Sequence, residues 1–366
     1  LFFSKHWING VLSIWGMEMK DWCTPNYETM RMIAYPNAQS VKYTGEGAGV
    51  WDDASYKLEG TTEDYEGSLV EGAQMLAHTS ADGKKRYYLT YSHTGYAARD
   101  YGCHQAVSEK ILGDDYKYEK LSRERSALGV NATNDYMTGV GHNAYVEADG
   151  ELYNVYWVHG DPTNTTIANQ TYAFDPELGY DILFGNGPTK FVQPLPKVAS
   201  GLSNVADKAK VTATNVADEK SVKYLTDGCV TMLDYFFDME YRAKGKTVIT
   251  LEFDEPREIR AIMIYNSARY DYAFGGASRI FFTLAEKPAW YNPSAKYTGI
   301  VGISDLEVPA DSFSAADPDN AFMRQGGGAV ASFNPIKVSK IEIEISNKLS
   351  DKNKEIRVSE ICVLGK

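Results

Sequence analysis

Three stretches of this sequence carry residue types suited to chemistry. The first is Val70-Glu71-Gly72-Ala73, where a carboxylate beside a glycine opens a run of strand-forming residues. At the mouth of a β scaffold such a carboxylate suits a general acid, because partial burial raises a carboxyl pKa toward the working pH. Glu66-Gly67 repeats the dipeptide five residues earlier, and both acids fit exposed loops equally well. The second stretch is Gly139-Val140-Gly141-His142-Asn143, a histidine bracketed by glycines that let backbone approach closely. It is read either as a site residue or ion ligand, or as a hydrogen-bonded structural imidazole. The third is Tyr91-Ser92-His93-Thr94-Gly95-Tyr96, followed by Asp100-Tyr101-Gly102. There polar side chains and aromatics rim one loop after a strand, either as a small-ligand pocket or as strand-end packing.

Other chemistries find little support. Gly326-Gly327-Gly328 lacks the Lys-Ser/Thr and helix of a phosphate loop, no serine sits in a G-x-S-x-G elbow, and no histidine pair has zinc spacing. Cys23, Cys103, Cys229 and Cys362 are scattered, so cysteine usage indicates neither an oxidising nor a reducing compartment. Asn131-Ala132-Thr133, Asn164-Thr165-Thr166 and Asn169-Gln170-Thr171 fit the glycosylation sequon, a match expected by chance in a Thr- and Asn-rich chain. The net charge is −12, from 49 acidic and 37 basic residues, and no local basic patch offsets it. Nucleic acid and anionic membrane are therefore poor partners. Apolar runs such as Ile280–Ala285 fall far short of the ~20 residues of a membrane helix.

The elements that must position these residues are strands. The chain has 366 residues, which suggests about two domains, and its 43% apolar and 23% charged residues are ordinary for a globular protein. Tyrosine is unusually frequent at 26, a residue favoured both in strands and on surfaces that stack against flat ligands. Leu1–Trp15 reads as a hairpin about an Asn9-Gly10 turn rather than a signal peptide, so the chain is expected to open inside a sheet. Asp82-Gly83 precedes Tyr87–Ser92, and Asp149-Gly150 precedes Leu152–Trp157; the two turns lie 67 residues apart. A repeated unit of turn and aromatic strand suggests propeller blades, with the generic repetition of any all-β protein as the alternative. The texture changes at the Pro-punctuated Gln193–Lys197. Beyond it, Thr247–Phe253, Ile259–Tyr265, Arg279–Thr283, Val338–Ile345 and Ile356–Val363 read as strands of a β-sandwich. Ile341, Ile343 and Ile345 alternate with Glu342 and Glu344, the pattern of a half-solvated strand. The expected domains are thus 1–193 and 198–366.

In order along the chain, Glu71-Gly72, Tyr87–Ser92 with Gly95-Tyr96 and Tyr101-Gly102, Ala106–Ser108 with Leu112-Gly113, Gly139–Asn143, Glu151–Tyr156 and Gly187-Pro188-Thr189 form a set. That set resembles the family 43 glycoside hydrolases. The resemblance implies an all-β fold, a five-bladed β-propeller that is N-terminally incomplete in this chain. It also implies an inverting hydrolase cleaving arabinofuranosidic, xylosidic or related linkages in an oligo- or polysaccharide. Glu71 would be the general acid, and Tyr91, Ser92, His93, Tyr96, Tyr101, His142 and Asn143 would line the sugar site. His142 would also stand near a central ion. The base and the pKa-tuning carboxylate would lie upstream of Leu1, so a missing N-terminal segment or a second chain would complete the propeller. Residues 198–366 resemble a discoidin, galactose-binding-like jelly roll through Leu225–Gly228, Thr231 and Val358–Val363. Asp227, Thr231 and Glu360 would there hold a structural Ca²⁺, a set of oxygen ligands that suits a hard cation. Tyr235, Phe236, Phe237, Tyr270, Tyr272 and Phe274 would stack on a sugar or pack against the first domain. The substrate class implies a secreted, periplasmic or cell-surface protein without membrane insertion. The alternative is a non-catalytic glycan-binding protein, a decayed propeller joined to a sugar-binding sandwich.

Overall fold

The structure, a computed structural model, describes residues 1–6, 10–47, 49–62, 66–98, 100–128, 138–159, 164–187, 192–230, 239–267, 272–274, 277–286, 300–306, 308, 327–346 and 354–366. Among these the regular elements are strands and short helical turns. The chain divides into two compact units: Leu1–Val146 with Leu152–Pro188, and Glu147–Glu151 with Thr189–Lys366. The division falls just ahead of the Pro-punctuated stretch, and the tip of one hairpin is counted with the second unit.

The first unit is a series of antiparallel meanders. Strands β1 (Phe2–His6), β2 (Leu12–Gly16) and β3 (Arg31–Ala34) form a three-stranded sheet, and β4 (Ser40–Tyr43) and β5 (Tyr56–Glu59) form a hairpin. Phe2 pairs with Gly16 and His6 with Leu12, the register of the hairpin read from the sequence; Asn9 of its turn lies outside the described residues. Strands β6 (Val70–Thr79), β7 (Lys85–His93), β8 (Gly102–Ser108) and β9 (Glu119–Lys120) form a four-stranded sheet in sequence order. So do β10 (Gly141–Ala148), β11 (Glu151–Val158), β12 (Asn164–Asp175) and β13 (Tyr180–Gly185). The two repeated aromatic segments are therefore β7 and β11, each the second strand of its sheet. Gly83 and Gly150 sit at φ +80° and +78° in the preceding turns, where a side chain would be strained.

Packing is face to face. Ile14, Ile33 and Ala34 of the first sheet meet Val70, Leu89, Tyr91 and Ala106 of the β6–β9 sheet. On its other side Cys103 packs with Val140, Tyr156 and Ala168, which lie in or beside the β10–β13 sheet. A sheet covered on both sides buries both faces of its middle strands, which is how propeller blades stack. That is why seven consecutive residues of β8 are buried.

The second unit holds β14 (Ser203–Asn204), β15 (Ala209–Ala213), β16 (Tyr241–Lys244), β17 (Thr247–Asn266), β18 (Ala277–Leu284), β19 (Ile300–Leu306), β20 (Gly328–Ile345) and β21 (Glu355–Gly365). They form one hydrogen-bonded network ordered β14-β21-β17-β20-β18-β19, with β15 on β17 and β16 on β21. Two strands expected from the sequence, Thr247–Phe253 and Ile259–Tyr265, are one strand with a register shift between Glu252 and Arg257. Pro256 falls inside the shift, where its missing N–H leaves no gap in the ladder. Before the shift Ile249, Leu251 and Phe253 bury one face; after it Ile262 and Ile264 join the main core while Met263 and Tyr265 bury the opposite face. Ile341, Ile343 and Ile345 are fully buried, and Glu342 and Glu344 between them are not.

Candidate functional site

Two of the four-stranded sheets bring their first strands to one cavity. Glu71 is the second residue of β6, and His142 is the second residue of β10. Gly72, at φ +66°, interrupts the β6–β7 register between Glu71 and Gln74. Such a bulge re-aims the side chain beside it. A Cβ on Gly72 would stand 3.6 Å from His142 Nδ1 and 3.7 Å from Ser92 Oγ, so the glycine lies directly against both. A Cβ on Gly141 would come within 2.5 Å of the Tyr101 ring, a distance no side chain tolerates. His142 itself has φ +48°, an uncommon conformation for a residue with a side chain. It is held there by its amide, which donates to Ser92 Oγ at 2.7 Å.

The cavity has a volume of about 550 Å³ and is lined by Glu71, Tyr96, Tyr101, His142, Ala144, Val155, Tyr156 and Trp157. Tyr101 donates its phenol proton to Glu71 Oε1 at 3.4 Å. Burial pushes the Tyr101 phenol up to about 12, so it stays a neutral donor at any working pH. The Trp157 ring stands edge-on to Tyr96 and Tyr101, with centroids 6.4 Å and 6.3 Å apart. Behind it, His159 lies edge-on to Trp157 at 5.1 Å. His159 Nε2 is 2.7 Å from the carbonyl oxygen of Tyr96. A carbonyl only accepts, so Nε2 carries the proton and ties the Tyr96 loop to the Trp157 wall. Aromatic walls of this kind stack on the apolar face of a sugar ring, and a carboxyl among them can give up a proton to a bound oxygen.

Of the residues expected to line a sugar site, Glu71, Tyr96, Tyr101 and His142 do line the cavity. Tyr91, Ser92, His93 and Asn143 do not, and their contacts give the reason. Tyr91 is fully buried and donates to Glu66 Oε1 at 2.8 Å. Ser92 is fully buried beneath the cavity wall. His93 is buried, with Nδ1 2.9 Å from Thr94 Oγ1 and its ring edge-on to His104. Asn143 is buried and accepts from the Cys103 thiol at 3.0 Å. Tyr91, Ser92 and His93 end β7, a strand buried on both faces, so alternation does not deliver every second residue to solvent; Asn143 lies on β10, which does alternate, and it takes the buried side between the exposed His142 and Ala144. Glu66 is no exposed loop acid either. It is fully buried, 2.5 Å from Lys120 Nζ, and accepts the Asn37 amide at 2.6 Å. The wall residues Ala144, Val155, Tyr156 and Trp157 escaped the sequence reading. The signal for Trp157 was the β11 repeat itself, which was used for the fold and not for the site.

In the second unit Asp227 and the fully buried Glu360 of β21 form a carboxylate pair. Burial, and then the Asp227 charge, hold the Glu360 carboxyl well above its ordinary range. Burial likewise pushes Asp227 up to about 7. Asp227 Oδ1 accepts the Cys229 amide at 3.0 Å, while Glu360 Oε2 accepts no hydrogen bond among the described residues. A buried and a half-buried carboxylate with an unmatched oxygen have the donor chemistry a hard divalent cation takes. Thr231, the third expected ligand, lies outside the described residues, as do Tyr235, Phe236, Phe237 and Tyr270. Phe274 is fully buried in the core, so it offers no face to a sugar; Tyr272 lies under the Arg357 guanidinium at 4.3 Å. Among the described residues no three His, Cys, Asp or Glu side chains gather as a metal cluster, His142 included.

Fold and cavity together define an all-β protein of two compact units, the first carrying an aromatic cavity headed by a carboxylate. No protein-family model matches the chain, and no curated protein matches it. Solved structures similar to it include an endo-1,4-beta-xylanase from Bacteroides thetaiotaomicron, 19% identical over 51% of this chain and 58% of that one, with a TM-score of 0.33. A thermostable family-43 glycoside hydrolase is 23% identical over 53% of this chain and 60% of that one, with a TM-score of 0.31. The family 32 CBM of C. perfringens NanJ, solved in complex with galactose, is 10% identical over 43% of this chain and 95% of that one, with a TM-score of 0.29. Both resemblances drawn from the motifs are represented among these structures. The chain spans less than two thirds of the two hydrolases, and the functional reading rests on the cavity.

Proposed function

We propose that this chain carries the proton donor of an inverting glycoside hydrolase, built on the later blades of a five-bladed propeller and joined to a galactose-binding-like jelly roll. The carrying observation is Glu71, which enters an aromatic-walled cavity of about 550 Å³ with its Oε1 engaged by a neutral tyrosine. Such a cavity accommodates one or two sugar rings of an arabinofuranosidic, xylosidic or related glycan. Glu71 protonates the departing glycosidic oxygen while a second carboxylate, about 6.5–9.5 Å away, activates water on the opposite face. Glu71 is the one carboxylate among the described lining residues, and the base that this mechanism needs is not among them. In the second unit Asp227 and Glu360 would hold a structural Ca²⁺, with further oxygens from the neighbouring backbone or from Thr231. A polysaccharide substrate places the protein outside the cytoplasm, secreted, periplasmic or at the cell surface.

Glu71→Gln in the complete protein tests the reading. Hydrolysis of arabinofuranosides and xylosides is expected to fall by about 10²–10⁴-fold while the fold persists. Near-normal turnover would remove Glu71 from the acid role. That the described residues of the cavity wall hold one carboxylate also favours a second reading, a glycan-binding protein without catalysis. Oligosaccharide binding by the intact protein with no product after long incubation would decide for it.

A further inference from the structure

Tyr96 reaches the cavity from a loop, not from a strand. Its backbone belongs to a turn after β7 in which the Ala98 amide donates to the Gly95 carbonyl at 2.8 Å. That bond uses the Gly95 carbonyl, and the Tyr96 carbonyl takes its bond from His159 Nε2, 2.7 Å away and directly after β11 on the other four-stranded sheet. The half-buried imidazole is itself held from several directions. The His159 amide donates to the Thr138 carbonyl at 2.9 Å. With its proton on Nε2, the neutral ring leaves Nδ1 to accept the Thr138 hydroxyl at 3.3 Å. Gly139, at φ +61°, lies against the ring, and a Cβ there would come within 2.3 Å of Cε1 and Nε2. Trp157 stands edge-on to the same imidazole at 5.1 Å.

We propose that His159 is a positioning residue that pins the Tyr96 turn to the Trp157 wall, and so sets how tightly the cavity rim holds a glycan rather than the chemistry at Glu71. This role rests on the reading of the cavity as a glycan site. His159 is not among the described residues that line the cavity, so it acts through its neighbours. Trp157 is fixed by its strand, whereas Tyr96 is 68% exposed on a turn and depends on an outside tie to hold its ring opposite. A ring on a loose turn gives back part of its stacking energy as lost freedom when a ligand arrives, and a turn held in advance gives back less. The glycines of Gly139–His142 then have separate uses: Gly141 makes room for the Tyr101 ring, and Gly139 makes room for the imidazole. One side chain thereby joins three segments beside the cavity: the turn after β7, the approach to β10 and the end of β11.

The first measurement needs no ligand. In the full chain, solvent exchange of the Ala98 amide is followed by NMR. His159→Ala should speed it about threefold to tenfold, while the amides of Leu89 and Ala106 inside β7 and β8 keep their rates. His159→Gln, whose side-chain amide still donates, should restore slow exchange, a rescue that mere filling of space would not give. If His159→Ala does not fold, His159→Phe, a ring without a donor, takes its place. Unchanged Ala98 exchange in the variant without a donor, or no rescue by His159→Gln, overturns the proposal. The second measurement is titration calorimetry with arabino- and xylo-oligosaccharides. His159→Ala should weaken binding about threefold to tenfold, and under about twofold in a chain already carrying Tyr96→Ala, because the ring it positions is gone. Additive losses overturn the proposal. In the complete protein the loss should fall on KM, with kcat changed by less than about twofold. An unaltered chain that binds neither oligosaccharide overturns the glycan reading and the pin's use in binding together, while Ala98 exchange still shows whether the tie exists. Retained turnover in Glu71→Gln removes the acid assignment alone, since the binding cycle does not involve Glu71.

Discussion

The two units each carry carboxylates of note, and they treat them in opposite ways. In the first, Glu71 stands half-buried at a cavity wall, with one oxygen held by a phenol. In the second, the half-buried Asp227 stands against the fully buried Glu360, whose Oε2 accepts no hydrogen bond among the described residues. A carboxyl that must exchange a proton with a ligand has to be reachable and only partly satisfied. Two carboxylates set against each other away from water instead require a shared proton or a cation, because like charges in low dielectric repel strongly. On the proposed reading, the neighbour each carboxylate faces, a phenol for Glu71 and another acid for Glu360, separates an acid suited to reaction from a pair suited to binding a cation.

The largest effect that tests this contrast is on turnover. Glu71→Gln should lower hydrolysis by about 10²–10⁴-fold while the melting temperature, followed by circular dichroism, stays within about 3 °C. A large loss of stability in this variant would erase the distinction, since Glu71 would then be bracing the fold. The matching experiment within the first unit is Lys120→Met. It leaves Glu66 buried without its ammonium partner, at a cost of about 3–5 kcal/mol, or a fall of roughly 10 °C in melting temperature. A shift under about 2 °C would show that Glu66 finds water or a proton instead.

Glu66 and Glu71 also show what the sequence could and could not disclose. Both stand before glycine, five residues apart, and composition makes them equivalent. What separates them is Lys120, distant in sequence and brought against Glu66 by the pairing of β9 with β8. Long-range pairing is invisible to local pattern. The repeat was legible, because Asp-Gly turns and alternating aromatics are local signals, and β7 and β11 do occupy equivalent places. So was the half-solvated strand at Ile341–Ile345. Tyr91, Ser92 and His93 lie outside the cavity because the stacked sheets bury both faces of β7, and Asn143 because it points to the buried face of β10, opposite to His142; which face of a strand is covered is set by packing that local pattern does not carry. Trp157 was missed because its strand was read only as architecture. Thr247–Phe253 and Ile259–Tyr265 read as separate strands, and in the sheet they are one β17 with a register shift between them that holds Pro256.

A smaller effect belongs to the second unit. Asp227 and Glu360 both have folded-state pKa values above their unfolded ones, Asp227 at about 7. Between about pH 4 and pH 7 the folded pair thus retains protons that the unfolded chain has released. Without a cation, stability is full below about pH 4 and is lost as pH rises through that window. Ca²⁺ should reverse the loss by replacing the shared proton. At a hundredfold excess over its Kd it adds about 2.7 kcal/mol, a rise of roughly 5–10 °C in melting temperature at pH 7 and less at pH 5. Calorimetry with and without chelator measures it. Equal melting temperatures at pH 7 would show that the pair braces the fold through a proton alone, and Asp227→Asn would then stabilise the metal-free protein.

The smallest effect asks whether the cavity wall is a sugar surface at all. Tyr96 is 68% exposed at the rim, edge-on to Trp157, and its ring supports little of the core. Tyr96→Ala should leave the melting temperature within about 2 °C and weaken binding of arabino- or xylo-oligosaccharides by about threefold to tenfold, the range of one aromatic contact. Phe281 of the second unit supplies the counterpart, an exposed aromatic on β18 outside the cavity. Phe281→Ala should change neither binding nor turnover. Titration calorimetry of the two variants beside the parent chain separates the readings in one series. Weakening by Tyr96→Ala alone places the glycan in the cavity with Glu71. Weakening by Phe281→Ala alone moves the glycan to the second unit, and the contrast between a reacting acid and a bracing pair would then lose its first member.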